Sequence, residues 1–99
     1  MNTILTKIKT GLRISHDKLD DDILDEIDVC IADLELAGIV HADVETDLLI
    51  FNAIKLWCKA AYSDDIVKSA EYRKRYEELK ACLMMAEGYG WKEEDDGND

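Results

Sequence analysis

Five side chains in this sequence could in principle ligate a transition metal: His16, His41, Cys30, Cys58 and Cys82. Zinc sites draw on thiolates and imidazoles in close pairs such as CxxC, so that four ligands converge. Each cysteine here falls on the apolar face of a different helical pattern and none has ligand spacing, so packing as a small core hydrophobe is expected of all three. The run from Asp17 to Asp22 invites calcium. An EF-hand loop, however, takes ligands at alternate positions, with a central Gly and a Glu at the twelfth, and Leu19 and Leu24 stand where ligands should be. Carboxylates are numerous enough for an acid-base pair, but they lie on what reads as a solvated helix face rather than in a pocket that would shift their pKa. No GxSxG, phosphate loop or dinucleotide fingerprint occurs, and Gly88-Tyr89-Gly90 is too short and too late to cradle a phosphate. No nucleophile, base and stabiliser can be assembled, so an enzyme ranks last among the readings, with no catalytic residue, metal or cofactor expected.

The remaining chemistry is that of surfaces. The net charge of −11 is unevenly spread. Residues 1–14 carry Lys7, Lys9 and Arg13 and no acid, whereas residues 15–51 hold twelve acids against Lys18 alone. Affinity for nucleic acid comes mostly from phosphate neutralisation, so tight DNA binding is disfavoured. Such segregation instead allows unlike faces of neighbouring copies to associate, or a polyanion to slide past without sticking. Arg73, Lys74 and Arg75 could meet phosphate in a helix-turn-helix, but read more simply as a wet helix face balanced by Glu71, Glu77 and Glu78. Tyr89 and Trp91 follow the last periodic helix residue, spaced by glycine and followed by acids. Trp91 suits docking on a partner, and Tyr89 either does the same or packs back on its own bundle.

Ninety-nine residues suffice for one small domain. A content of 47% hydrophobic and 35% charged residues is too apolar for a disordered chain and too charged for a membrane span. The start lacks the apolar stretch of a signal peptide and an odd number of cysteines makes no disulfide framework, so an intracellular, reduced protein is expected. With no proline and five glycines, the fold class expected is all-α: a compact bundle of about four helices.

The elements follow from apolar spacing. A short first helix carries Ile4, Leu5, Ile8 and Leu12, its end weakened by Gly11. A second should run from about Asp20 to Ala37, with acids in its first turn and Gly38 as its stop; Ile23, Leu24, Ile27, Cys30, Ile31 and Leu34 form its apolar face and carboxylates the other. Ile39 and Val40 should tuck under the domain rim. From about Val44 to Tyr62 a third helix is apolar nearly all round, which makes it a central element or a surface for self-association. Its polar stripe is Asn52, Lys55 and Lys59. Ser63, Asp64 and Asp65 supply capping types for a fourth helix to about Glu87, with Tyr72, Tyr76, Leu79 and Leu83 buried and Arg73, Lys74, Arg75, Glu77, Glu78 and Lys80 mostly wet. The division expected is a helical domain over 1–90 and a flexible acidic tail over 91–99.

The order of these pieces resembles the small helical head-tail connector proteins of tailed bacteriophages, also described as DNA-packaging or head-completion proteins. The resemblance covers about residues 4–89. It is carried by Leu12, Arg13 and Ile14 before the acidic cluster, by Lys59, Ala60 and Tyr62 closing the third helix, and by Tyr72, Tyr76, Leu79 and Leu83. It implies a structural, non-enzymatic adaptor in the virion at the head-tail junction, passing through the host cytoplasm during assembly, with no membrane. The implied partners are further copies of itself in a ring that follows portal symmetry, dodecameric in the virion, together with the portal protein and a later connector or tail-completion protein. DNA would pass through the ring without sequence-specific binding. On this reading Lys7, Lys9 and Arg13 meet Asp21, Asp25 and Asp28 of a neighbour at the subunit interface, and Tyr89 and Trp91 contact the portal. The very acidic terminal tail departs from the family pattern. The competing readings are a helix-turn-helix regulator and an acidic DNA mimic presenting the carboxylate face of the second helix.

Overall fold

A computed structural model describes residues 3–39 and 47–86. They form four α-helices: α1 (Thr3–Leu12), α2 (Asp20–Leu36), α3 (Leu48–Tyr62) and α4 (Ile66–Met85). The expected all-α fold is the one observed. The third helix is the hub, packing on α4, on α2 and on α1, while α1 also touches α2. Its composition explains this place, because Ile50, Ala53, Ile54, Cys58 and Ala60 all turn into the core and leave room for partners on more than one side. Around it Ile4, Leu5 and Ile8 of α1, Ile23, Ile27, Cys30 and Leu34 of α2, Ile39, and Tyr76 and Leu83 of α4 close a single cluster. Each fully buried Ile or Leu contributes on the order of 1.5–3 kcal/mol.

Helix ends are set by local chemistry. Asp47 is extended and accepts from the Leu49 and Ile50 N–H groups, so α3 begins at Leu48, later than the apolar pattern from Val44 indicates. Its cap is a polar side chain, which hydrophobic periodicity does not register. Asp65 caps α4 in the same way, through Val67 and Lys68. The start of α2 has no side-chain cap; Asp20, Asp21 and Asp22 lie in its first turn, where the helix dipole favours negative charge.

The ends of α1 and α2 share one motif with different residues. After α2, Gly38 takes φ 91°, its N–H donates to the Glu35 carbonyl, and the Ile39 N–H reaches back to Leu34. Buried Ile39 and Leu34 both belong to the core cluster, as this Schellman closure requires. After α1, Arg13 takes φ 62°, with Arg13 N–H to Thr10 and Ile14 N–H to Lys9. Gly11 therefore does not end α1; the helix continues through it and turns at Arg13. A Cβ on Gly11 would lie 3.3 Å from Lys55 Cδ, so the glycine lets α1 approach α3.

Three expectations for α4 and the cysteines are corrected. Cys30 and Cys58 are buried but Cys82 is exposed, because it lies off the stripe that Tyr76 and Leu83 turn inward. Lys80 is not on the wet side: its ammonium is held by Asp33 of α2 at 2.9 Å and Glu77 at 3.1 Å. The fourth helix ends at Met85, with Ala86 extended as its C-cap, short of the expected Glu87. Val40, His41, Val44, Tyr89, Trp91 and the 91–99 tail lie outside the described residues.

Candidate interaction surfaces

Three arrangements emerge when the polar side chains are placed on this scaffold. The first ties α2 to α3 and α4. The Trp57 indole N–H donates to Glu26 Oε1 at 2.8 Å, and the Trp57 ring meets Tyr76 edge-on with centroids 5.1 Å apart. Tyr76 donates its hydroxyl to Asp33 Oδ2 at 2.6 Å, and the Lys80 ammonium reaches the same oxygen. The Arg73 guanidinium stacks 4.3 Å from the Trp57 centroid. Burial disfavours the Asp33 charge, but bonds from Tyr76 and Lys80 and the charges of Lys80 and Arg73 outweigh it and hold its pKa below the usual carboxylate range. Burial, then the Asp33 bond, drives the Tyr76 phenol strongly upward. Burial also pushes the Cys30 and Cys58 thiols up to about 12, so neither forms a thiolate near neutrality. This cluster is a brace between helices. Its polar contacts join α2 to α3 and α4.

The second arrangement is a basic, concave strip. Between α1 and α3 a hollow of about 290 Å³ is lined by Thr6, Lys7, Thr10, Gly11, Phe51 and Lys55, with both ammonium groups over the Phe51 ring at 5.8 and 5.9 Å. It shares Gly11 with a second hollow of about 400 Å³ at the meeting of α1, α3 and α4, lined by Leu12, Arg13, Lys59, Tyr62, Ser63, Lys68 and Tyr72. Among the described residues neither lining contains a carboxylate. Lys59 lies over the Tyr72 ring at 5.5 Å, fixing one cation on the wall.

The third is the outer face of α2, where Asp21, Asp25 and Asp28 are exposed together with Asp22 and Glu35. The basic strip thus draws on α1, α3 and Lys68 of α4, and the outer face of α2 is carboxylate, while α4 carries exposed charges of both signs.

Of the candidate interface residues, Lys7 and Arg13 line the basic strip, and Asp21, Asp25 and Asp28 share the α2 face. Lys9 stands apart: its ammonium pairs with Asp20 of the same chain at 2.7 Å and pins α1 to the first turn of α2. Lys55, Lys59 and Lys68 join the strip although the N-terminal charge pattern did not single them out for it. Their helical spacing on α3 was legible; their proximity to Arg13 was not. Glu26 and Asp33 are likewise drawn out of the carboxylate face, since they flank the apolar stripe of α2 and meet Trp57 and Tyr76.

His16 is exposed and its Nδ1 accepts from the Lys18 N–H at 3.2 Å. Among the described residues no group of three His, Cys, Asp or Glu side chains is placed to hold a metal ion, and no described helix is long and apolar enough to cross a membrane.

The fold and surfaces define a small all-α protein with a basic strip on α1, α3 and α4 and a carboxylate face on α2. The model of the phage connector protein family matches residues 4–90, nearly the whole chain, and the protein belongs to that family. No curated protein and no solved structure matches it.

Proposed function

We propose that this protein is a structural head-tail connector. Copies assemble as a ring on the portal after DNA packaging, twelve in the virion, extending the DNA channel and offering a docking surface to the next connector or tail-completion protein. It performs no catalysis, and it works at the head-tail junction after passing through the host cytoplasm. Family membership supports the adaptor role. The observation that carries ring assembly is the division of charge between the strip holding Lys7 and Arg13 and the α2 face holding Asp21, Asp25 and Asp28. Unlike faces on one chain can pair head to tail, and a head-to-tail contact with the right rotation closes a ring. Lys9, already paired with Asp20, contributes to the shape of the basic face rather than to the contact itself. Carboxylates left facing a channel would repel DNA phosphates and let the genome pass without being held. Tyr89 and Trp91, which close the 1–90 domain and open the 91–99 tail, are assigned to the portal contact.

Electron microscopy of particles from a phage or induced prophage lacking this gene, beside a complemented control, tests the reading. DNA-filled or leaking heads next to unattached tails are expected. Normal infectious particles would overturn it and bring forward the DNA-mimic reading of the α2 face.

A further inference from the structure

We infer that Val29, in the middle of the carboxylate face of α2, seats in the Phe51 hollow between α1 and α3 of a neighbouring copy, with α2 running antiparallel to that copy's α3. The inference rests on the ring reading and gives its charge contact an apolar seam and a direction.

The α2 face holds more than charge. Val29, Ala32 and Leu36 follow at steps of three and four, so they form one line along it. All three are exposed, Val29 at 52% and Leu36 at 89%, and none is packed against the core cluster. Asp25 and Asp28 each stand four positions before a member of this line, which places a carboxylate one turn from Val29 and another one turn from Ala32. A face that served only to attract cations or repel DNA would have no use for an apolar line through its centre.

The hollow between α1 and α3 is its complement. The half-buried Phe51 ring lies between the small side chains of Thr6 and Thr10 and the bare backbone of Gly11, and the Lys7 and Lys55 ammonium groups stand over it. Among the described residues no ion pair neutralises either lysine. A branched side chain on a helix ridge fits such a groove, and carboxylates beside it reach the two cations. A DNA phosphate would meet the same cations but leave the ring uncovered.

Direction follows from how the two surfaces change along their helices. On α3, Leu48 is 77% exposed and Lys55 lies seven positions on, so the surface runs from apolar to basic. On α2 it runs from acidic, at Asp21 and Asp25, to apolar, at Leu36. Only an antiparallel approach sets Leu36 toward Leu48 and Asp25 toward Lys55. The lengths agree, because Val29 to Leu36 and Leu48 to Lys55 each span seven positions, about 10.5 Å.

Two measurements on full-length protein assembled on portal rings test the seam. Val29→Asp should raise the concentration needed for assembly about tenfold, with an unchanged circular dichroism spectrum, whereas Val29→Ile should assemble as the wild type does. The second measurement is disulfide trapping in a Cys82→Ser background, with chains that each carry one new cysteine. Lys7 over Phe51 and Gly11 beside Lys55 set α1 parallel to α3, so Thr3 lies toward Leu48 and Thr10 toward Lys55. These two positions are about 10.5 Å apart along α1, more than a disulfide spans. Leu36→Cys chains should therefore link to Thr3→Cys chains and not to Thr10→Cys chains.

Assembly of Val29→Asp that is unchanged or tighter would reduce the contact to charge pairing and overturn the seam. Links to Thr10→Cys in place of Thr3→Cys would overturn the direction. Rings that form without either link would leave the hollow to the portal or to another partner, and duplex DNA binding lost in Lys7→Glu/Lys55→Glu would leave it to phosphate; both overturn the seam while the ring reading stands. A wild-type chain that does not assemble on portal rings at all would overturn the ring reading, and the seam with it.

Discussion

The Tyr76 hydroxyl donates to Asp33 Oδ2 at 2.6 Å, joining a fully buried ring on α4 to a carboxylate on α2 whose side chain is 32% exposed. The bond crosses the line between core and surface. Tyr76 supplies the apolar mass that fills the space beside Trp57, and Asp33 satisfies the one polar atom that mass carries inward. The two helices are thus braced around α3 by a polar contact in addition to apolar packing.

Removing only that hydroxyl tests the brace. Tyr76→Phe keeps the ring and its edge-on contact with Trp57 but leaves Asp33 with Lys80 alone. A loss of about 1–2 kcal/mol in urea unfolding is expected, since a hydrogen bond to a charged partner is worth more than a neutral one and partial exposure discounts it. An unchanged midpoint and slope would assign the bond no net role.

Acid sensitivity follows from the carboxylate side. The folded pKa of Asp33 is held below its ordinary 3.8, so its contribution is complete above that value and is lost as pH falls through 3.8 toward the folded pKa. The stability gap between the wild type and Asp33→Asn should therefore be widest near neutrality and narrow below about pH 4. Urea titrations of both proteins from pH 7 to pH 3 would measure it; a constant gap would contradict the assignment.

Thiol chemistry separates the three cysteines. With Cys30 and Cys58 buried and raised to about 12, native protein at pH 8 should take up one equivalent of iodoacetamide, at Cys82, and three after denaturation. Peptide mass mapping reads both numbers. Rapid native labelling of Cys58 would mean that α3 opens locally.

Arg13 offers a case in which stability and assembly should move in opposite directions. Arg13→Gly relieves the left-handed backbone, which costs a non-glycine residue about 1–2 kcal/mol, and gives back part of that in unfolded-chain entropy. A net gain of about 0.5–1 kcal/mol in unfolding is expected together with weaker ring assembly. Loss of stability in this variant would mean that the Arg13 side chain holds the fold itself.

Assembly should also respond to charge and to the terminal aromatics. Lys7→Glu/Arg13→Glu should weaken ring formation, and the wild-type ring should loosen with added salt, because exposed charges are screened over about 8 Å at physiological ionic strength. Trp91→Ala should reduce portal affinity and leave the circular dichroism spectrum unchanged. Sedimentation with purified portal rings checks both, and salt-independent assembly would exclude the charge pairing.

Read alone, the amino-acid sequence determined the helices and their inward faces. The spacing of Ile4, Leu5 and Ile8, of Ile23, Ile27, Cys30 and Leu34, and of Tyr76 and Leu83 admits only one period, and period is a local property. The uneven distribution of charge along the chain was legible for the same reason, whereas the adaptor reading came from the resemblance of the ordered pieces to phage connector proteins. Tertiary structure alone decided which polar groups remain available to partners. Lys9 and Lys80 look as free as Lys7 and Lys74 in the sequence, yet Asp20 and Asp33 claim them. Cys82 looks as buried as Cys58 until the turn of α4 that faces α3 is known. Lys59 and Lys68 come together with Arg13 only where three helices meet. These outcomes depend on side chains far apart in the chain coming within about 3–6 Å of one another, and no local pattern encodes such a distance.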